Sequence, residues 1–193
     1  MIIGITGGTG CGKTTLLTEI EKLGGLVLDC DAIYHDLLTQ DDALLNAIEN
    51  RFPGVVEDGQ LNRKKLGSIV FADPDALLRL NAITHAAVKS EVLQLLESAP
   101  ALAAIDAIGL FEGGLAELCD VTIAVTAPVS MRLQRLMARD NISEEYARSR
   151  ISAQKDAAYF SKMCQYTLEN NGTQAQFQEK CLAFFRELGI MEP

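Results

Sequence analysis

The chain has 193 residues, 48% hydrophobic and 22% charged, which is enough for one well-cored domain of ordinary globular composition. Its net charge of −9 argues against a duplex-DNA binder, which needs a basic footprint. No apolar run approaches the roughly 20 residues that cross a bilayer, and the opening MIIGITGG lacks the basic start and long apolar stretch of a signal peptide.

The five cysteines (Cys11, Cys30, Cys119, Cys164 and Cys181) are odd in number and form no CxxC pair. Neither a disulfide framework nor a zinc site is expected, and a reducing, cytoplasmic location fits.

The chain opens with the apolar run Ile2-Ile3-Gly4-Ile5-Thr6, which reads as a buried parallel strand. A glycine-rich turn follows, then a helix over residues 13–23 stopped by Gly24-Gly25. Leu26-Val27-Leu28 is a second buried strand ending on Asp29-Cys30-Asp31, which completes a βαβ unit. Residues 32–98 read as almost wholly helical, with a turn-rich interruption at 55–59 and a helix start at Asp73-Pro74. Strand signals return at 102–110 and 121–125. Pro128 opens a helix, a second begins near Ser143, a short strand covers 166–168, and a last helix follows Asn170-Asn171-Gly172.

Strands thus alternate with helices, which predicts an α/β fold: a three-layer P-loop NTPase sandwich on a five-stranded parallel sheet. The expected organisation is a single domain. Its core is built from about 1–31, 100–128 and 161–193, a helical substrate-binding insertion covers about 32–99, and a helical lid covers about 129–160.

Gly7-Gly8-Thr9-Gly10-Cys11-Gly12-Lys13-Thr14 matches G-x-x-x-x-G-K-[ST] in full, between a buried strand and a helix. The glycines let successive N–H groups turn inward as an anion nest, and the helix adds its positive end. Gly8, Gly10, Cys11, Gly12, Lys13, Thr14 and Thr15 are the expected ATP-binding residues. Lys13 is expected on the β- and γ-phosphates and the Thr14 hydroxyl on Mg²⁺. Cys11 reads either as a small residue tolerated where the backbone does the binding, or as a thiol whose pKa the helix terminus lowers, which would make the loop redox-sensitive.

Asp29 and Asp31 end the second strand, where open α/β sheets bind ligands. Either could accept a proton from an attacking hydroxyl, and Asp31 could equally be a helix N-cap. Asp106, after an apolar run, stands where a carboxylate would hold Mg²⁺, or bonds a loop. Glu112 follows at the ligand edge, as a candidate acceptor contact. Arg132, Arg135 and Arg139 share one helix face. Residues 131–155 carry six basic side chains against three acidic ones, a local positive field in an acidic chain. Such a segment suits a lid that excludes water and favours transfer over hydrolysis.

Taken together, these motifs resemble the dephospho-coenzyme A kinase family over nearly the whole chain. The resemblance rests on GITGGTGCGKTT, LDCDAI, DGQLNRKKLGSIVFADPDALLRLNAITH, LFEGGL, RLMARDNISEEYARSRISAQ and LENNGT. It implies transfer of the ATP γ-phosphoryl to the ribose 3′-hydroxyl of dephospho-CoA, with Mg²⁺, by a monomer or small homo-oligomer needing neither nucleic acid nor membrane. It also implies Asp31 as base, Lys13 and Arg139 as catalytic cations, and His85, Glu112 and Arg135 as acceptor or substrate contacts. Thr14 and Asp106 are the implied metal ligands. The chain departs from the family pattern in having Ala86 after the histidine, and Lys155-Asp156-Ala157-Ala158-Tyr159-Phe160 after Gln154. The adenine-side lid contacts therefore do not carry over. The competing readings are another small-molecule kinase, of nucleoside or shikimate type, and a nucleotide-dependent switch; the latter lacks an N-K-x-D guanine motif and has no need of an arginine lid.

Overall fold

A computed structural model describes residues 1–40 and 42–192. Five parallel strands form the sheet: β1 (Ile2–Thr6), β2 (Leu26–Asp29), β5 (Ala103–Asp106), β6 (Val121–Thr126) and β7 (Tyr166–Glu169), in the order β2-β5-β1-β6-β7. β1 is central and pairs with both β5 and β6. Ile3 and Ile5 are fully buried, as a strand covered on both faces requires.

One face of the sheet packs on α1 (Lys13–Lys22) and α9 (Gln174–Glu187), with Leu16, Ile20, Phe177 and Phe185 in the core. The other face carries α2 (Cys30–Gln40) and α5 (Pro74–Glu97), through Leu28, Val88, Val92 and Ile105. These are the three predicted layers. The chain leaves β1 for α1 at the middle of the sheet, so the phosphate loop lies over the carboxyl ends of β1 and β5.

Between β2 and β5, α3 (Asp42–Arg51), α4 (Arg63–Val70) and part of α5 bury a second apolar cluster around Ile48, Val55 and Leu66. The turn-rich stretch at 55–59 is not plain loop. Val56–Glu57 (β3) and Gln60–Leu61 (β4) form an antiparallel hairpin whose turn uses Asp58 at φ 51° and Gly59 at φ 74°.

The strand expected over 102–110 stops at Asp106. The Ala107 N–H still reaches the Ile5 carbonyl, but residues beyond it curl into turns, closed by Gly113 N–H to Gly109 O at 2.8 Å. After β6, α6 (Val129–Asp140) ends on Asn141 in the left-handed region, φ 51°. The second lid helix divides into α7 (Glu144–Ser152), capped by Ser143, and α8 (Ala157–Met163), capped by Asp156.

Candidate active site

The phosphate loop owes its curl to backbone that only glycine adopts freely: Gly12, just before α1, sits at φ 95°. From α1, Lys13 folds back over the loop. Its Nζ donates to the Gly7 carbonyl at 3.2 Å and lies 3.7 Å from Asp106 Oδ1. Gly8, Gly10, Cys11, Gly12, Lys13 and Thr14 wall a cavity of about 720 Å³, together with Asp29, Asp31, Asp106, Arg135, Arg139 and Arg150. The structure thus gathers most of the predicted site into one place. Thr15 is the exception among the loop residues. It faces a neighbouring cavity of about 570 Å³ bounded by Thr18, Met131, Arg135, Asn170 and Gly172.

The helix that follows β2 begins at Cys30, two residues earlier than the sequence pattern suggests. Asp31 therefore lies in its first turn and is not the cap. That role belongs to Asp29, whose Oδ1 accepts from the N–H groups of Asp31 at 2.9 Å and Ala32 at 3.1 Å. This division of labour leaves the Asp31 carboxylate exposed at the cavity mouth. Asp31 also lines a smaller cavity of about 180 Å³, with Cys30, Tyr34, Thr84, His85 and Leu115. The predicted base is thus shared by the phosphate-loop cavity and the cavity that holds the predicted acceptor residue His85.

Asp106 ends β5 with its Oδ1 buried and without a hydrogen-bond partner. Burial pushes its carboxyl up to about 6, against the pull of Lys13; Asp29 and Asp31 push the same way as burial. Lys13, 3.7 Å away, compensates this carboxylate only in part. Together with the nearby Thr14 hydroxyl the carboxylate offers the hard oxygen donors that suit Mg²⁺. No cluster of three or more metal-binding side chains occurs among the described residues.

Three expectations change. Cys11 is buried, 3% exposed, and burial raises its thiol pKa, outweighing the pull of Arg132 and Lys13. The thiol stays protonated at neutral pH, which removes the physical basis for redox sensitivity. Glu112 lines none of the three cavities. It is exposed and accepts the Tyr159 hydroxyl at 2.9 Å, tying α8 to the turn after β5. Arg139 lies at the cavity wall with its guanidinium paired to Asp140, at 2.6 and 3.0 Å. Asp140 also accepts Arg150 at 2.6 Å, and the arginines, Arg139 foremost, hold its carboxyl down to about 2.

Arg135 reaches the loop directly. Its NH1 donates to the carbonyls of Gly10 and Cys11, both at 3.2 Å, and its NH2 donates to Asn170 Oδ1 at 3.0 Å. Asn170 is buried and donates its Nδ2 to the Cys11 carbonyl at 2.9 Å. Sequence reasoning took Asn170 for a turn residue, and nothing in its spacing marks it as a phosphate-loop support.

The chain matches the sequence profile of the dephospho-CoA kinase family over residues 1–176. It is 34% identical over 188 residues to the dephospho-CoA kinase of Corynebacterium jeikeium, covering 95% of this chain and 97% of that one. The chain belongs to the dephospho-CoA kinase family. It is therefore an enzyme, an ATP-using phosphotransferase. A protein of known structure from Thermus thermophilus superposes with a TM-score of 0.81 at 32% identity, covering 97% of each chain. Shikimate kinase from Bacteroides thetaiotaomicron shares the fold alone, with a TM-score of 0.58 at 16% identity over 98% of both chains. The fold is thus common to several small-molecule kinases, and family membership separates this chain from the shikimate-type reading.

Proposed function

We infer that this protein transfers the γ-phosphoryl group of ATP to the ribose 3′-hydroxyl of dephospho-CoA, giving coenzyme A and ADP. Family membership supports the reaction. The observation that carries the site is Asp31, shared between the phosphate-loop cavity and the His85 cavity.

An acceptor hydroxyl bound from the His85 side meets Asp31 before it meets the phosphate. Asp31 orients that hydroxyl and accepts its proton as the new O–P bond forms. Lys13 and the loop N–H groups hold the β- and γ-phosphates. Arg139 exchanges its pairing with Asp140 for the charge that builds on the transferring group. Arg135 and Asn170 border the second cavity, which would take the nucleoside end of ATP. Thr14 and Asp106 would hold Mg²⁺, whose charge would offset that of the phosphates.

The alternative, another small-molecule kinase, has no comparable support. Incubating the protein with ATP, Mg²⁺ and dephospho-CoA should release ADP and yield coenzyme A. In the same assay Asp31→Asn should lower kcat by roughly 10²-fold or more while ADP affinity stays near normal. Turnover of shikimate or a nucleoside, but not of dephospho-CoA, would overturn the substrate assignment.

A further inference from the structure

Arg132 is 5% exposed, the one buried charged side chain of the described lid. The lid's described ion pairs belong to Arg139, Arg148 and Arg150, and Arg132 has none. Its partners are neutral oxygens. Nε donates to the Thr9 carbonyl at 2.8 Å, and NH2 donates to Gln154 Oε1 at 3.3 Å. That same Gln154 oxygen accepts the Thr9 N–H at 2.8 Å. Both backbone polar groups of Thr9 are thus held by two side chains from the lid, and the two side chains hold each other.

Two of the loop glycines take a second meaning from this contact. A Cβ on Gly8 would lie 2.3 Å from Arg132 NH2, and one on Gly10 would lie 3.0 Å from the Arg132 carbonyl oxygen. Gly8 and Gly10 therefore make room for Arg132. A buried guanidinium facing only neutral oxygens is costly to leave without an anion. The anion that the adjoining cavity takes is the triphosphate.

We propose that Arg132 is a positioning residue for phosphoryl transfer, which with Gln154 holds the Thr9 peptide and so keeps the phosphate loop in its anion-binding curl. On this reading α6 is a fixed support of the loop and not a flap that swings away from it. The inference rests on the kinase reading, but ADP binding tests it without the acceptor. A failed substrate assignment would appear in turnover alone.

Arg132→Ala should weaken ADP binding and raise the KM for ATP by at least about 10-fold, the effect expected of losing a charged hydrogen bond, with the KM for dephospho-CoA within about twofold of normal. Arg132→Lys keeps the charge and should recover part of the loss. Gly8→Ala should impair ADP binding in the native background and have little further effect in Arg132→Ala, because the Cβ then has room. A purely stabilising arginine would not produce that dependence. If Arg132→Ala fails to fold, Gln154→Ala carries the test, with the same loss of ADP affinity expected. Native ADP affinity in either foldable variant, or Gly8 and Arg132 effects that simply add, would overturn the proposal.

Discussion

At the scale of single residues, the environment of Asp106 decides more than its identity. Its carboxyl, pushed up to about 6 by burial, is partly protonated in slightly acidic solution. A cation needs the ionised form, so binding one releases a proton at low pH. Apparent Mg²⁺ affinity, read from the Mg²⁺ dependence of turnover, should hold steady above about pH 7. It should fall roughly tenfold per unit once the pH drops below about 6. Asp106→Asn should show weak Mg²⁺ dependence with no such slope.

Stability runs the other way. A carboxyl raised above its unfolded value of 3.8 contributes stability that is complete below 3.8 and is lost as pH rises through about 6. Raising the pH through that range therefore favours the cation and disfavours the empty fold. Cys11 illustrates the same competition with the opposite reading overturned. Arg132 and Lys13 do pull the thiol down, but at 3% exposure desolvation wins.

At the scale of elements, α6 serves both ends of the reaction. Arg132 and Arg135, in its first two turns, bond the phosphate loop, whereas Arg139 near its end pairs with Asp140. The helical repeat keeps the three on one side of the helix, and Arg135 and Arg139 line the phosphate-loop cavity. Arg139→Ala should lower kcat by roughly 10²-fold with little change in ADP affinity, since its guanidinium pairs with Asp140 and not with the loop. A near-normal kcat would reduce Arg139 to the Asp140 ion pair.

The α8 segment, where the chain departs from the family pattern, is anchored differently from the rest of the lid. The Lys155 ammonium lies 5.3 Å from the Tyr159 ring centre, and the Tyr159 hydroxyl bonds Glu112. These contacts tie the lid to the turn after β5.

At the scale of the molecule, two apolar cores meet at α2. Tyr34 and Leu37 pack against both the insertion cluster and the cluster beneath the sheet. The His85 cavity, the proposed acceptor site, lies at that junction, with Tyr34 and Asp31 on α2 and His85 on α5. Loosening the insertion should therefore reach the acceptor before it reaches ATP. Ile48 is fully buried there, and Ile48→Ala should cost about 2–5 kcal/mol in stability. It should raise the KM for dephospho-CoA several-fold and leave ADP affinity near native. An equal loss of both affinities would show that the two cores respond as one.

What the chain's letters determined by themselves is whatever depends on local pattern. The apolar runs name the strands, the full phosphate-loop motif names the anion site, and the spacing of Arg132, Arg135 and Arg139 names a basic helix face. Each follows from near neighbours in the chain, through strand or helix period and backbone geometry. The motifs spread along the chain were enough to suggest the family that the comparisons bear out.

Other features had to wait for the fold, because they join residues far apart in sequence. Arg132 and Gln154 meet at Thr9, and Asn170 meets Cys11. Glu112 is drawn away to Tyr159, and Asp29, not Asp31, caps α2. Whether a charged side chain faces substrate, caps a helix or supports a loop depends on its long-range partners and on how much water it loses. Only the packed structure sets those two quantities.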